Sequence, residues 1–200
     1  MDFILHFAQD SPRFLPIHTI LLGLLSTDYY LISMGILSIG NVLSNLVIKL
    51  FFKKLYSFMG VKTLPILGLG ERPINDYVPD KVGYLDKYSG EAKLFGMPSG
   101  HSQSAWFFYA FGMLYLFDKT SQSQSQQTQS NWVIITLLLM TTIAIFISYS
   151  RVYKKYHTTR QVILGGIIGF GMGVGGYILT KYIIDGRLSI KKLKKMIKIV

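Results

Sequence analysis

Gln161–Thr180 reads QVILGGIIGFGMGVGGYILT, 20 residues without a formal charge. A helix needs about 20 residues to cross the hydrocarbon core of a bilayer, so this stretch predicts a transmembrane span. Working outward, Tyr29–Ile48 and Asn131–Ser150 are uncharged over 20 residues each, and Phe95–Phe117 is interrupted only by His101. The expected spans are 29–50, 98–117, 131–150 and 160–182. In lipid every backbone polar group must be satisfied within its own segment, which makes these spans helices. Residues 14–27 form a shorter apolar segment that fits a short span, a re-entrant segment or an interfacial helix. The fold class expected is therefore all-α: a polytopic integral membrane helix bundle of four to five spans with one long polar loop, in a single domain over 1–200.

Composition points the same way. Half of the residues belong to the set AVILMFWYC, 16% are charged and the mean hydropathy is +0.36. A soluble domain carries about a quarter charged residues, so a water-soluble globule and a disordered chain are both disfavoured. Lys and Arg number 21 against 10 Asp and Glu, a net charge of +11. Beside such apolar runs, that excess suits membrane lipid head groups or a phosphorylated substrate rather than nucleic acid. With no cysteine, thiolate catalysis and disulfides are excluded. The start, Met1-Asp2-Phe3-Ile4, lacks a basic region and a small-residue cleavage site, so no removable signal peptide is expected.

The connections differ in character. Residues 57–97 make a long polar loop punctuated by Pro65, Pro73 and Pro79; loops of that length are usually functional or disordered. Residues 121–130 (SQSQSQQTQS) read as a flexible polar linker without chemistry. The basic tail, 187–200, interleaves lysines with apolar residues and reads as an anchor on anionic lipid. Gly165, Gly169 and Gly173 recur every fourth residue, a small-residue ridge that suits helix packing within the chain, with a homo-oligomer face as the alternative.

Counting spans back from the lysine tail brings three polar clusters to one membrane face. These are Arg72-Pro73, Pro98-Ser99-Gly100-His101 at a helix start, and Ser150-Arg151 with His157 six residues on. Arginine is a planar fork for phosphoryl oxygens. A helix N-terminus opened by Ser99 and Gly100 offers N–H groups to an anion. Two histidines, His101 and His157, can supply a nucleophile and a general acid. No carboxylate cluster has metal-ligand spacing, so the chemistry expected is phosphoryl transfer without a metal or other cofactor, with cations stabilising the equatorial oxygens.

GMPSGHSQ at 96–103 and SYSRVYKKYHTTRQV at 148–162 resemble the second and third signature motifs of the type 2 phosphatidic acid phosphatase family, P-S-G-H and S-R-x5-H. Within it, the residues flanking both histidines, together with Asn41-x3-Asn45-x3-Lys49, resemble the dolichyl-diphosphatase branch. The resemblance implies that His157 attacks phosphorus and that His101 protonates the leaving oxygen and then activates water. It implies that Arg72, Ser99, Gly100 and Arg151 hold the phosphoryl oxygens, together with a lysine of the first motif. It further implies a lipid diphosphate substrate, a role in recycling the lipid carrier of N-glycosylation, and an active site facing the lumen of the endoplasmic reticulum. The rival readings are a phosphatase for phosphatidate or other isoprenoids, and a non-catalytic membrane protein that only binds phosphate.

Two positions depart from the family pattern. Its first motif places six residues between a lysine and Arg-Pro, whereas 22 separate Lys49 from Arg72. Lys62 is nearer but also misplaced; Lys49 is preferred because Asn41, Asn45 and Lys49 share a helix face. At 161 the family usually has an aspartate, where this chain has glutamine. Gln161 can still accept a hydrogen bond from His157 and orient it, without adding charge. His6 and His18 read as incidental. Lys154, Lys155 and Arg160 read as cations snorkelling to head groups, or as recruiting the substrate diphosphate. Tyr149, Tyr153 and Tyr156 read as an interfacial aromatic belt.

Overall fold

The computed structural model describes residues 2–73, 95–121 and 126–197. Helices α1 (Asp2–Ser26) and α2 (Tyr29–Phe58) come first. A two-stranded antiparallel hairpin follows, β1 (Thr63–Leu64) with β2 (Gly68–Leu69), then α3 (Gly100–Ser121), α4 (Gln126–Tyr153) and α5 (Thr159–Ile197). Three stretches, Tyr29–Phe58, Asn131–Tyr153 and Thr159–Gly186, are long and apolar enough to cross a membrane. They expose Leu43 and Val47 on α2, Ile134 and Leu138 on α4, and Ile163 and Ile167 on α5. A surface of exposed aliphatic side chains on long helices is costly in water and suited to lipid. The architecture is the all-α membrane bundle read from composition.

α3 is as long as a span but more polar, and it lies at the centre. Phe107, Ala110 and Phe111 are fully buried, as are Ser102 and Gln103 in its first turns. It packs chiefly on α5. The glycine ridge explains how closely. A Cβ at Gly165 or Gly169 would run into the carbonyl oxygens of Ser99 and Gln103, and one at Gly173 would lie 2.5 Å from that of Phe107. The ridge thus receives the backbone of α3 within this chain.

α1 folds back on α2 through a tight reversal. Thr27 is left-handed (φ 55), its N–H donates to the Leu24 carbonyl and that of Asp28 to the Gly23 carbonyl. This is a Schellman ending, made without the glycine that usually occupies the left-handed position. The Asp28 carboxylate then caps α2 by accepting from the N–H groups of Tyr30 and Leu31. The 14–27 segment belongs to the second half of one continuous 25-residue helix.

Other boundaries differ from expectation too. α2 runs past residue 50 to Phe58, carrying Lys53 and Lys54 with it, because Tyr56 at its end is buried against Phe95. α4 starts at Gln126, so the second part of the 121–130 linker is helical. α5 continues through the basic tail to Ile197 as one helix of 39 residues. Residues 74–94 of the expected 57–97 loop, with Lys81, Lys87 and Lys93, lie outside the described residues.

Candidate active site

The reversal between α4 and α5 places the first group. Lys155 is left-handed (φ 55) and its N–H donates to the Val152 carbonyl. The Arg151 carbonyl accepts from the N–H groups of both Tyr156 and His157, at 3.0 and 3.1 Å. This second Schellman ending gives the Arg-x5-His spacing a physical meaning: it is the length of chain that hydrogen-bonds the arginine's own carbonyl to the histidine's amide. The Tyr156 ring folds under the guanidinium, 4.4 Å from Arg151 Cζ. Tyr156 is therefore buried, unlike Tyr149 and Tyr153, whose stacked rings stay exposed. Only those two fit the aromatic belt.

α5 then starts with a capping box. The Thr158 hydroxyl accepts from the Gln161 N–H, and Gln161 Oε1 accepts from the Thr158 N–H at 3.1 Å. The same Oε1 lies 3.1 Å from His157 Nδ1, while Nε2 of the amide donates to the carbonyls of Leu69 and Glu71 at 2.8 and 2.7 Å. A backbone N–H can only donate and a carbonyl can only accept. The amide orientation is thus dictated by its backbone partners. Since Oε1 is an acceptor, His157 Nδ1 must carry the proton, and its lone pair is on Nε2.

Around this imidazole the charges are positive. Burial, and then the charges of Arg72, Lys49, Arg151 and His101, hold His157 well below its ordinary pKa of 6.5. It is neutral at pH 7. Those four residues come from β2's exit, α2, the end of α4 and the start of α3, elements distant in sequence. Lys49 is buried at 7% exposure, whereas Lys62 is exposed at the entry to the hairpin. Of the two lysines, geometry brings Lys49 to the site.

The start of α3 completes the wall. Ser99 is fully buried and its N–H donates to the Gln161 carbonyl at 3.0 Å, locking the Pro-Ser-Gly-His turn onto α5. The first-turn N–H groups, beginning at Gly100, have no carbonyl four residues back within the helix. Among the described residues, Ser99 Oγ and Arg151 Nε are buried without a hydrogen-bond partner. Buried polar atoms are rarely left so, and two of them beside a helix N-terminus suit an anion's oxygens. No group of three or more His, Asp or Glu side chains able to hold a metal ion occurs among the described residues.

Three contributions escaped the sequence reading. Gln103 is the hub beneath the site: its Oε1 accepts from Asn45 Nδ2 at 2.7 Å and its Nε2 donates to Asn41 Oδ1 at 2.9 Å. It ties the Asn41–Asn45–Lys49 face to the helix bearing His101. Arg160, exposed at the start of α5, donates from Nη1 to the Pro65 carbonyl at 2.8 Å and so contacts the hairpin. The capping box was visible as Thr158-x-x-Gln161 and would have located the start of α5. His18, as expected, lies elsewhere, on α1, bonded to the Phe14 carbonyl.

Comparison with known proteins gives a consistent result. The family model described as PAP2 superfamily matches residues 30–185. Dolichyldiphosphatase 1 of Mus musculus is 40% identical over 91 residues, 45% of this chain and 38% of that protein. The Homo sapiens protein of the same name is 37% identical over the same extent. A palmitoyl-protein thioesterase-dolichyl pyrophosphate phosphatase fusion of Schizosaccharomyces pombe is 28% identical over 123 residues, 58% of this chain and 19% of the fusion. The matched stretch thus spans well under half the length of these relatives. No solved structure matches the chain.

Proposed function

This chain belongs to the PAP2 superfamily, and we propose that it is a membrane-embedded phosphatase that hydrolyses dolichyl, or another polyprenyl, diphosphate to the monophosphate and phosphate. One observation carries the reading: a neutral, buried imidazole with its lone pair on Nε2, surrounded by Lys49, Arg72, Arg151 and His101. The relatives named for dolichyl diphosphate supply the substrate class.

In the first step His157 Nε2 attacks the terminal phosphorus while the bond from phosphorus to the bridging oxygen breaks. His101 gives its proton to that oxygen, and the lipid monophosphate leaves. The phosphohistidine ring is cationic, and Gln161 Oε1 supports it through the Nδ1 proton without neutralising it. In the second step His101 takes a proton from water, the resulting hydroxide attacks phosphorus and the P–N bond breaks. Phosphate is released and both histidines return to their starting states. Lys49, Arg72, Arg151 and the Ser99–Gly100 turn hold the equatorial oxygens, so the positive charge is supplied by the protein rather than by a divalent metal. The setting proposed is the endoplasmic reticulum membrane with the site facing the lumen, where the reaction returns lipid carrier for N-glycosylation.

Purified protein should release phosphate from dolichyl diphosphate in excess EDTA, and more slowly from phosphatidate. Dependence on added magnesium would overturn the metal-free step. A preference for phosphatidate would change the substrate class. Phosphate binding without any turnover would leave only a binding protein.

A further inference from the structure

The hairpin between α2 and Arg72 lies in the stretch that lengthens the first motif. We infer that residues 63–71 are a positioning element for the nucleophile, acting on His157 through the side chain of Gln161. The inference rests on the reading of His157 as nucleophile and deepens it.

The Gln161 amide makes four hydrogen bonds, which is its full capacity: two accepted at Oε1 and two donated from Nε2. Two of them end on backbone carbonyls of the hairpin segment, at Leu69 and Glu71, immediately before Arg72. One amide therefore links the strand that delivers a phosphate-binding arginine to the ring that attacks phosphorus. A carboxylate at 161 could still accept from His157 and Thr158. Its second oxygen would then face two carbonyls, with no proton between them.

The 63–71 segment is itself held at three other points. Tyr56 Oη donates to the Gly68 carbonyl at 2.8 Å, and Arg160 donates to the Pro65 carbonyl at 2.8 Å. Gly68 is left-handed (φ 77), and a Cβ there would lie 2.8 Å from Arg160 Cδ, so only glycine lets the arginine lie against the turn. A backbone bond from Gly96 to the Gly70 carbonyl fastens β2's exit to the segment entering α3. Tyr56, Arg160 and Gln161 are on this account positioning residues, remote from the transferred phosphoryl group except through His157.

The test uses Gln161→Glu and the double variant Tyr56→Phe/Arg160→Ala, with wild type and His157→Ala as references. Turnover of dolichyl diphosphate is measured beside the ¹⁵N NMR signature of the His157 ring. In wild type the ring should carry its proton on Nδ1. Partners that orient a functional histidine are typically worth about 10- to 100-fold, so Gln161→Glu should lose roughly that factor in kcat at pH 7. The double variant should lose about 5- to 20-fold and show a mixed tautomer, because the amide is no longer held from the hairpin side. A double variant with wild-type kcat and an unmixed Nδ1–H tautomer would overturn the inference, as would a fully active Gln161→Glu. Activity retained by His157→Ala would instead overturn the reading of the nucleophile, and the tautomer measurement would still decide the role of the hairpin.

Discussion

The two ends of α3 handle charge in opposite ways. At its C-terminal end each carboxylate faces a cation and a tyrosine. Asp28 accepts from Tyr115 and pairs with Lys119 at 3.1 Å, while Asp118 accepts from Tyr177 and from Lys181 at 2.7 Å. At the N-terminal end, about 30 Å away along the helix, the neighbouring charges that act on the neutral His157 among the described residues are those of Lys49, Arg72, Arg151 and His101. Gathering like charges costs stability, and the arrangement persists because the surrounding backbone over-determines it: two Schellman-type bonds, a capping box and the hairpin carbonyls. The compensated end stabilises the bundle. On the proposed reading, the cations at the other end serve an anion that develops more negative charge as it reacts.

This contrast is sharpest at His157. His157→Ala should reduce turnover by more than about 10⁴-fold, with acid-labile phosphate trapped on wild type and absent from the variant. Near-normal turnover would remove the functional end of the comparison altogether.

Next come the cations. A lost charge-assisted contact to a phosphoryl oxygen is worth roughly 2–4 kcal/mol in the transition state, so Lys49→Ala and Arg151→Ala should each cost about 30- to 1000-fold in kcat/KM. Lys62→Ala, changing an exposed side chain, should stay within about tenfold. The reverse ranking of the two lysines would move the phosphate site into the hairpin.

A smaller effect is expected in the pH profile. Burial and the neighbouring positive charges disfavour imidazolium, so His157 keeps its lone pair as pH falls through 6.5 and loses it only below. The acid limb of kcat/KM that it causes should lie below pH 6.5. Removing one positive neighbour makes protonation easier, so in the residual activity of Lys49→Met that limb should move upward. A limb that stays put would mean that the charge of Lys49 does not reach the ring.

The smallest effect belongs to the compensated end. Asp28→Ala removes the cap of α2 along with the contacts to Tyr115 and Lys119. It should cost about 1–2 kcal/mol of stability, read as a lower Tm, and leave kcat/KM of the folded protein within about twofold. A selective loss of activity without a change in Tm would show that the two ends are not independent.

Much of the fold is legible in the sequence. Uncharged runs of span length dictate membrane helices because lipid offers the backbone no other partner, and the spacing of histidine, arginine and serine is what the proposed phosphoryl chemistry rests on. Even Gln161 as the histidine's acceptor follows from residue type at i+4. The tertiary structure alone decided three things. It buries Lys49 and leaves Lys62 exposed, since the place of Lys49 depends on how α2 packs against α3 through Gln103. It gave the exposed Arg160 a bond to the hairpin and turned Tyr156 from a belt residue into the support of Arg151. It also showed that the residues added before Arg72 return their carbonyls to Gln161. Local pattern determines which segments enter a membrane; which backbone oxygen faces which side chain depends on contacts between segments some 90 residues apart, as from Leu69 and Glu71 to Gln161, and no local signal encodes that.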